Sequence, residues 1–175
     1  MKPADLIETM SAQNTARFQA LWGLVEKMSD DQFDLPFEPD NLSVSHHIQL
    51  VVHEHERWLG FLEGDEDALY CDHEPSCTIS KNELKRYWRS AHQRFKKYFE
   101  SRSAQELNRT LEDLDGPIWE VLIHLMMISE EHYKYILTIV AHMGLSPDTV
   151  RPNASLLQYR AVPSPAVRPA YSMSH

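Results

Sequence analysis

The chain has 175 residues, which is enough for one domain with a sizeable core and too few for two. Hydrophobic residues make up 42% of it, which excludes wholesale disorder, and only 5 residues are glycine, which favours helices over a turn-rich β fold. The formal net charge is -9, and the longest basic cluster is Lys96-Lys97 with Arg94 nearby. We therefore expect no nucleic-acid partner, because such surfaces need clustered lysine and arginine.

The N-terminal residues lack the apolar run of a signal peptide, and no apolar stretch reaches the roughly 18 residues of a membrane span. Cys71 and Cys77 are therefore expected to be reduced thiols in a cytoplasmic protein with no membrane partner. With His73 they offer three zinc ligands in one short segment, but no fourth lies nearby. We interpret this segment as a surface loop.

The first predicted helix runs from about Pro3 to Met28, with apolar residues at steps of three and four, and Ser29-Asp30-Asp31 ends it. The second begins at Ser43, a typical N-cap residue, and continues to about Leu62.

A third helix is predicted from about Ser80, with Glu83 at the capping-box position, to about Arg102. Ser103 then caps a short extra turn that ends near Leu111.

The fourth helix begins after Asp115-Gly116-Pro117 and ends at Gly144, because proline is common at helix starts and glycine at helix ends. These segments predict an all-α fold, an up-down four-helix bundle that occupies residues 1–147. Residues 148–175 are rich in proline, serine and alanine, and we interpret them as an extended arm that docks on its own body or on a partner subunit. A floppy tail is the alternative.

The histidines of the second helix point in different directions around its axis. Its apolar stripe consists of Val44, Ile48, Val51, His55, Trp58 and Leu62. His55 lies near the centre of this stripe, where a leucine or isoleucine is expected. His46 and His53 point to solvent, and His47 lies on the flank.

The fourth helix repeats this arrangement. Its stripe consists of Val121, Leu125, Ile128, His132, Ile136, Ile139 and Met143. His132 lies near the centre and His124 on the flank. On the other helices, Asn14 lies on the core line of the first and His92 on the shoulder of the third. In an up-down bundle, the polar residues Asn14, His55, His92 and His132 come to a similar depth.

Burying an imidazole or an amide without a partner costs about 1–3 kcal/mol, so these side chains need one another, a metal or a ligand. One interpretation is a set of core histidines that are hydrogen-bonded to Asn14, Ser129, Tyr135 or water. The other is a polar pocket between the helices that is lined by Asn14, His92, Ser129 and Tyr135.

A metal in that pocket would have His55 and His132 as its ligands. This set is incomplete, because metals bound by protein normally have three or four ligands. His124 lies about 12 Å from His132 along the helix axis, so the two cannot hold one ion.

Around these histidines the sequence resembles the DinB/YfiT-like family, over most of residues 3 to 147. The segments that carry the resemblance are Leu42–Ile48, Glu56–Leu59, Trp119–His124, Glu130–His132 and His142–Pro147. The resemblance implies a four-helix bundle, often a dimer, which binds zinc or nickel through one histidine of the second helix and two of the fourth. Characterised relatives include thiol-dependent transferases and isomerases that use bacillithiol or mycothiol.

The fourth-helix pattern of the family is three histidines at steps of four, and here the three positions hold His124, Ile128 and His132. On the second helix, His55 is the matching ligand by its direction and His47 is the alternative. The departure at Ile128 leaves open whether the family's metal site is present.

The leading interpretation is a DinB-like homodimer that acts as a metal-dependent hydrolase or thiol-dependent transferase. Its site lies between the helices, and a divalent metal, zinc or nickel, is its cofactor. The alternatives are a non-catalytic protein that binds a small-molecule ligand, and a dimeric interaction protein whose metal site is degenerate.

Overall fold

The computed structural model describes residues 2–38, 40–70, 79–111, 114 and 116–145. Over these residues the protein is all-α, with isolated β-bridges and no strand. Its elements are, in chain order, α1 (Pro3–Val25), α2 (Asp30–Asp34), α3 (Val44–Leu62), a 3-10 turn (Ala68–Tyr70), α4 (Lys81–Glu100), α5 (Ala104–Leu107) and α6 (Ile118–His142). Within this part of the chain, no helix combines the length and the apolar character needed to cross a bilayer.

Helices α3 and α4 begin after their predicted N-cap residues, and α6 ends just before its predicted glycine. The Ser43 hydroxyl accepts the amide N–H of His46, and Nδ1 of His46 accepts the amide N–H of Ser43, which closes a capping box on α3. Ser80 accepts the amide N–H of Glu83 at the start of α4. Gly144 has a φ of 72° immediately after α6, a left-handed conformation that glycine adopts without strain. These predicted boundaries are confirmed.

Two predicted boundaries are wrong. The first helix ends at Val25 and not near Met28. Ser29 is the N-cap of a new helix, α2. Its hydroxyl accepts the amide N–H of Gln32, whose side chain accepts the amide N–H of Ser29. The turn that Ser103 caps ends at Leu107 and not near Leu111. In both places an apolar residue lies beyond the helix end, Met28 in one and Leu111 in the other, so periodicity overestimates the length of the helix.

The four long helices contact one another in a ring, in which α1 touches α6 and α4, and α3 touches the same two helices. Their buried faces form two apolar clusters. One includes Leu59, Phe95 and Leu125, and the other includes Phe18 and Ile136. The interior enclosed by the four helices is therefore mainly apolar, and its buried polar residues are few.

The predicted C-terminal arm, residues 148–175, lies outside the described residues, as does the segment that contains Cys71, His73 and Cys77. The predictions for both segments, and the proposed domain boundary at residue 147, therefore stay predictions.

Candidate functional site

Helix α3 places two histidines in the interior, two turns apart. His47 is 1% exposed and His55 is 5% exposed. Eight residues of helix separate them by about 12 Å along the axis, so they belong to different surroundings.

His47 contacts His132 of α6. Their Nδ1 atoms lie 3.0 Å apart, and their ring centroids lie 5.2 Å apart. The Tyr135 ring stacks on His47, with centroids 5.3 Å apart and planes 1° from parallel. His132 and Tyr135 are one turn apart on α6, which places both rings beside the same imidazole. We call His47 and His132 the histidine pair.

The other nitrogen of His47 faces a carboxylate. Nε2 lies 3.5 Å from Oδ2 of Asp40, which precedes α3. Among the described residues, this buried Nε2 has no hydrogen-bond partner. His47 is therefore held between a carboxylate on one side and a second imidazole on the other.

Burial keeps the histidine pair neutral at pH 7. The pKa of His47 is lowered from 6.5 to about 4, mainly by the loss of solvent and also by the neighbouring His132, and Asp40 opposes both effects. Burial also lowers the pKa of His132, opposed by Glu131 and Asp40. Two neutral rings in contact share one hydrogen bond, with one Nδ1 donating and the other accepting.

The second buried histidine, His55, lines a small interior cavity between the two apolar clusters. Its walls are formed by Asn14, Phe18, Val51, Val52, His55, Trp88, Ala91, His92, Met126 and Ser129. The cavity volume is about 10 Å³, which is close to the space that one water molecule needs. An organic ligand does not fit there.

Most polar groups around the cavity are satisfied by the protein itself. Asn14 Nδ2 donates to the Met126 carbonyl at 3.1 Å, and the Ser129 hydroxyl donates to the Leu125 carbonyl at 2.9 Å. His92 Nε2 lies 2.6 Å from the Thr15 hydroxyl. That hydroxyl already donates its proton to the Ser11 carbonyl, so His92 must be the donor.

His55 is a neutral imidazole with its proton on Nδ1. This atom lies 2.9 Å from the Val51 carbonyl oxygen, which can only accept a hydrogen bond. Burial lowers the pKa of His55 to about 4, although this hydrogen bond opposes the effect. The remaining nitrogen, Nε2, is therefore an acceptor.

The structure divides the predicted site into two. Asn14, His55, His92 and Ser129 surround the cavity, whereas His132 and Tyr135 lie beside His47.

The structure brings His132 to His47, the alternative ligand of the second helix, whereas His55 lines the cavity. His124, the other alternative, lies edge-on to Trp58. The difference is one of register, since a helical wheel gives the direction of a side chain but not its level along the neighbouring helix.

Sequence reasoning also missed Asp40 and Thr15. Thr15 follows Asn14 on α1 and contacts His92, which lines the cavity. Asp40 lies in the loop before the Ser43 cap, and only the folded loop brings it to His47. No periodicity signals such a contact.

A broader groove lies on the surface between α3 and α4. Its volume is about 450 Å³, which is within the range of small-molecule sites. Val52, Leu84 and Ala68 contribute apolar surface, and Arg57 and Arg94 contribute charged groups that also form ion pairs with glutamates. Val52 also lines the interior cavity, so the groove and the cavity share one wall.

Comparison of the chain with family models, with curated proteins and with solved structures found no match. The interpretation of the site therefore depends on the residues and contacts described above.

Proposed function

We propose that this protein is a DinB/YfiT-like four-helix bundle protein that binds a divalent metal at the histidine pair and uses it for hydrolysis or thiol transfer. The observation that carries the proposal is the 3.0 Å approach of His47 Nδ1 to His132 Nδ1. The ring of contacts among the four long helices supports the bundle. The homodimer remains a prediction.

The histidine pair fits two positions of a zinc or nickel shell. Two imidazole nitrogens that bind one tetrahedral zinc at 2.0–2.1 Å are about 3.3 Å apart. The separation of the two Nδ1 atoms is within a few tenths of an ångström of this value. To bind one metal, each ring would have to rotate until its lone pair leaves the line between the two Nδ1 atoms and points to a shared position. Ligation through both Nδ1 atoms requires that the proton they share move to a ring Nε2, and both rings stay neutral.

The fit is partial. Asp40 lies against Nε2 of His47, not against the Nδ1 atoms. In the part of the chain that the structure describes, no group of three or more His, Cys, Asp or Glu side chains is arranged to hold a metal. Water would have to complete the shell, and Ile128 stands where the resemblance places a third histidine.

A bound divalent metal supplies one property, a lower pKa for a coordinated water or thiol, which makes it a nucleophile near neutral pH. The protein supplies the position. His47 is fixed by burial and by the stacked ring of Tyr135. His132 is only partly buried, so a substrate approaches from its side of the pair.

Zinc titration by calorimetry, on protein purified without chelator, tests this proposal. We expect about one equivalent of Zn²⁺ to bind wild type, and His47→Ala and His132→Ala each to abolish binding. His55→Ala is the matched control, because His55 is equally buried on the same helix but two turns from the pair, and it should retain binding. Absence of binding in wild type, or binding unchanged in His47→Ala, would refute the proposal.

The surface groove favours a second candidate, a non-catalytic protein that binds a small-molecule ligand. Its volume of about 450 Å³ admits an organic molecule, which the interior cavity does not. This candidate predicts that wild type binds no zinc, and that ligand binding survives chelator and both alanine substitutions in the histidine pair.

A further inference from the structure

We infer that Asp40 is a positioning residue that holds the proton of His47 on Nε2 and so leaves the Nδ1 lone pair free to face His132. The consequence for metal binding rests on the proposed function. The tautomer of His47 itself is measurable without any metal.

The loop before α3 fixes the Asp40 carboxylate in place. Oδ1 accepts the backbone N–H of Leu42 at 3.1 Å. The N–H of Phe37 donates to the Leu42 carbonyl at 3.1 Å, which closes the loop with a single β-bridge, and Asn41 within it has a φ of 59°. The Phe37 ring also packs against His142 of α6, at 5.4 Å between centroids. The loop is thus tied both to itself and to the helix that carries His132.

This arrangement turns the second oxygen of Asp40 towards His47. Oδ2 lies 3.5 Å from Nε2, which is buried and has no hydrogen-bond partner in the described part of the protein. A carboxylate can only accept, so it favours an N–H on the nitrogen that it faces. With the proton on Nδ1 instead, the Nε2 lone pair would lie beside a negative charge at 3.5 Å.

The tautomer of one ring then sets the role of the next. With its proton on Nε2, His47 accepts at Nδ1, and the hydrogen bond at 3.0 Å requires His132 to donate. A ligand histidine whose distal N–H faces a carboxylate is also more basic and better oriented for a metal. Asp40 therefore prepares the same nitrogen that the proposed site uses.

Nitrogen NMR of ring-¹⁵N-labelled histidine, at neutral pH and without metal, tests the tautomer directly. We expect His47 in wild type, assigned by the signals lost in His47→Gln, to show a protonated Nε2 and a bare Nδ1. In Asp40→Ala the tautomer should shift towards the Nδ1–H form, because the carboxylate that favours Nε2–H is gone. Asp40→Asn should shift it in the same direction, because an asparagine NH₂ can donate to Nε2. Glu38→Gln is the matched control, since it removes the same charge from an exposed residue of the same loop and should change nothing.

Zinc affinity is the second measurement. We expect Asp40→Asn to weaken binding by about 10- to 100-fold, with Glu38→Gln unchanged and the circular dichroism of both variants equal to wild type. A wild-type His47 with its proton on Nδ1, or a tautomer that Asp40→Ala and Asp40→Asn leave unchanged, would overturn the inference. An Asp40-dependent tautomer in a protein that binds no zinc would uphold it and refute the proposed function instead.

Discussion

Asn14 and His55 are polar residues in the middle of an apolar interior, and each contacts a main-chain carbonyl. Asn14 reaches across to α6 and donates to Met126, whereas His55 donates to Val51 on its own helix. A buried polar group with such a partner costs little, so these two side chains are explained as satisfied core residues. The hydrogen bond of Asn14 joins two helices, whereas that of His55 lies within one helix.

We expect Asn14→Ala to lower the free energy of unfolding by about 1–2 kcal/mol, through loss of the hydrogen bond to Met126 and of buried side-chain volume. Urea unfolding followed by circular dichroism measures this change. Gln19→Ala is the control, because Gln19 is exposed on the same helix, and its substitution should fall within about 0.5 kcal/mol of wild type. Equal stability of the two variants would contradict the role assigned to Asn14.

At the scale of the helices, the sequence predicts which side of a helix is buried when apolar residues form one narrow stripe. The stripe of α3 from Val44 to Leu62 is buried as predicted, because each of its residues repeats at the helical period. The stripe of α6 is displaced. Ile128 and His132 are only partly buried, while Met126, Ser129 and Tyr133 are buried fully. Apolar residues cover well over half of the circumference of α6, so periodicity does not define the centre of its inner face.

The site was less accessible to sequence reasoning than the fold. The direction of His55 follows from its own helix, but the pairing of His47 with His132 depends on how far α3 and α6 slide past each other. That offset is set by the packing of many side chains, such as those of the apolar cluster that contains Ile48 and Ile136, and not by any one residue. Asp40 depends on a loop conformation, which is harder still to predict.

Helix α6 offers a direct test of the incomplete ligand set. Ile128 lies one turn before His132, so Ile128→His creates two histidines at i and i+4, the spacing with which one helix face binds zinc. We expect zinc affinity, measured by calorimetry, to rise above that of wild type. Ile128→Gln controls for polarity at this position and should not raise it. An affinity no higher than wild type would place residue 128 away from the metal.

At the scale of the whole molecule, the buried histidines make the fold sensitive to acid. Burial lowers the pKa of five of them, namely His47, His55, His92, His124 and His132. In the unfolded chain each takes up a proton near pH 6.5, whereas in the folded protein His47 and His55 do so only near pH 4. Since the unfolded state binds more protons in between, stability falls as the pH decreases through this window.

His55 provides the sharpest measurement of this effect. A pKa lowered from 6.5 to about 4 corresponds to about 3 kcal/mol of stability that is present at pH 7 and lost by pH 4. In His55→Leu this contribution is absent, so its free energy of unfolding should fall less steeply than that of wild type between these two pH values. Gln19→Ala, at an exposed position of α1, is the control and should retain the wild-type slope. If His55→Leu has the same pH dependence as wild type in urea titrations, the pKa of His55 is the same in the folded and the unfolded protein. Water would then reach the ring, and the cavity that it lines would be open.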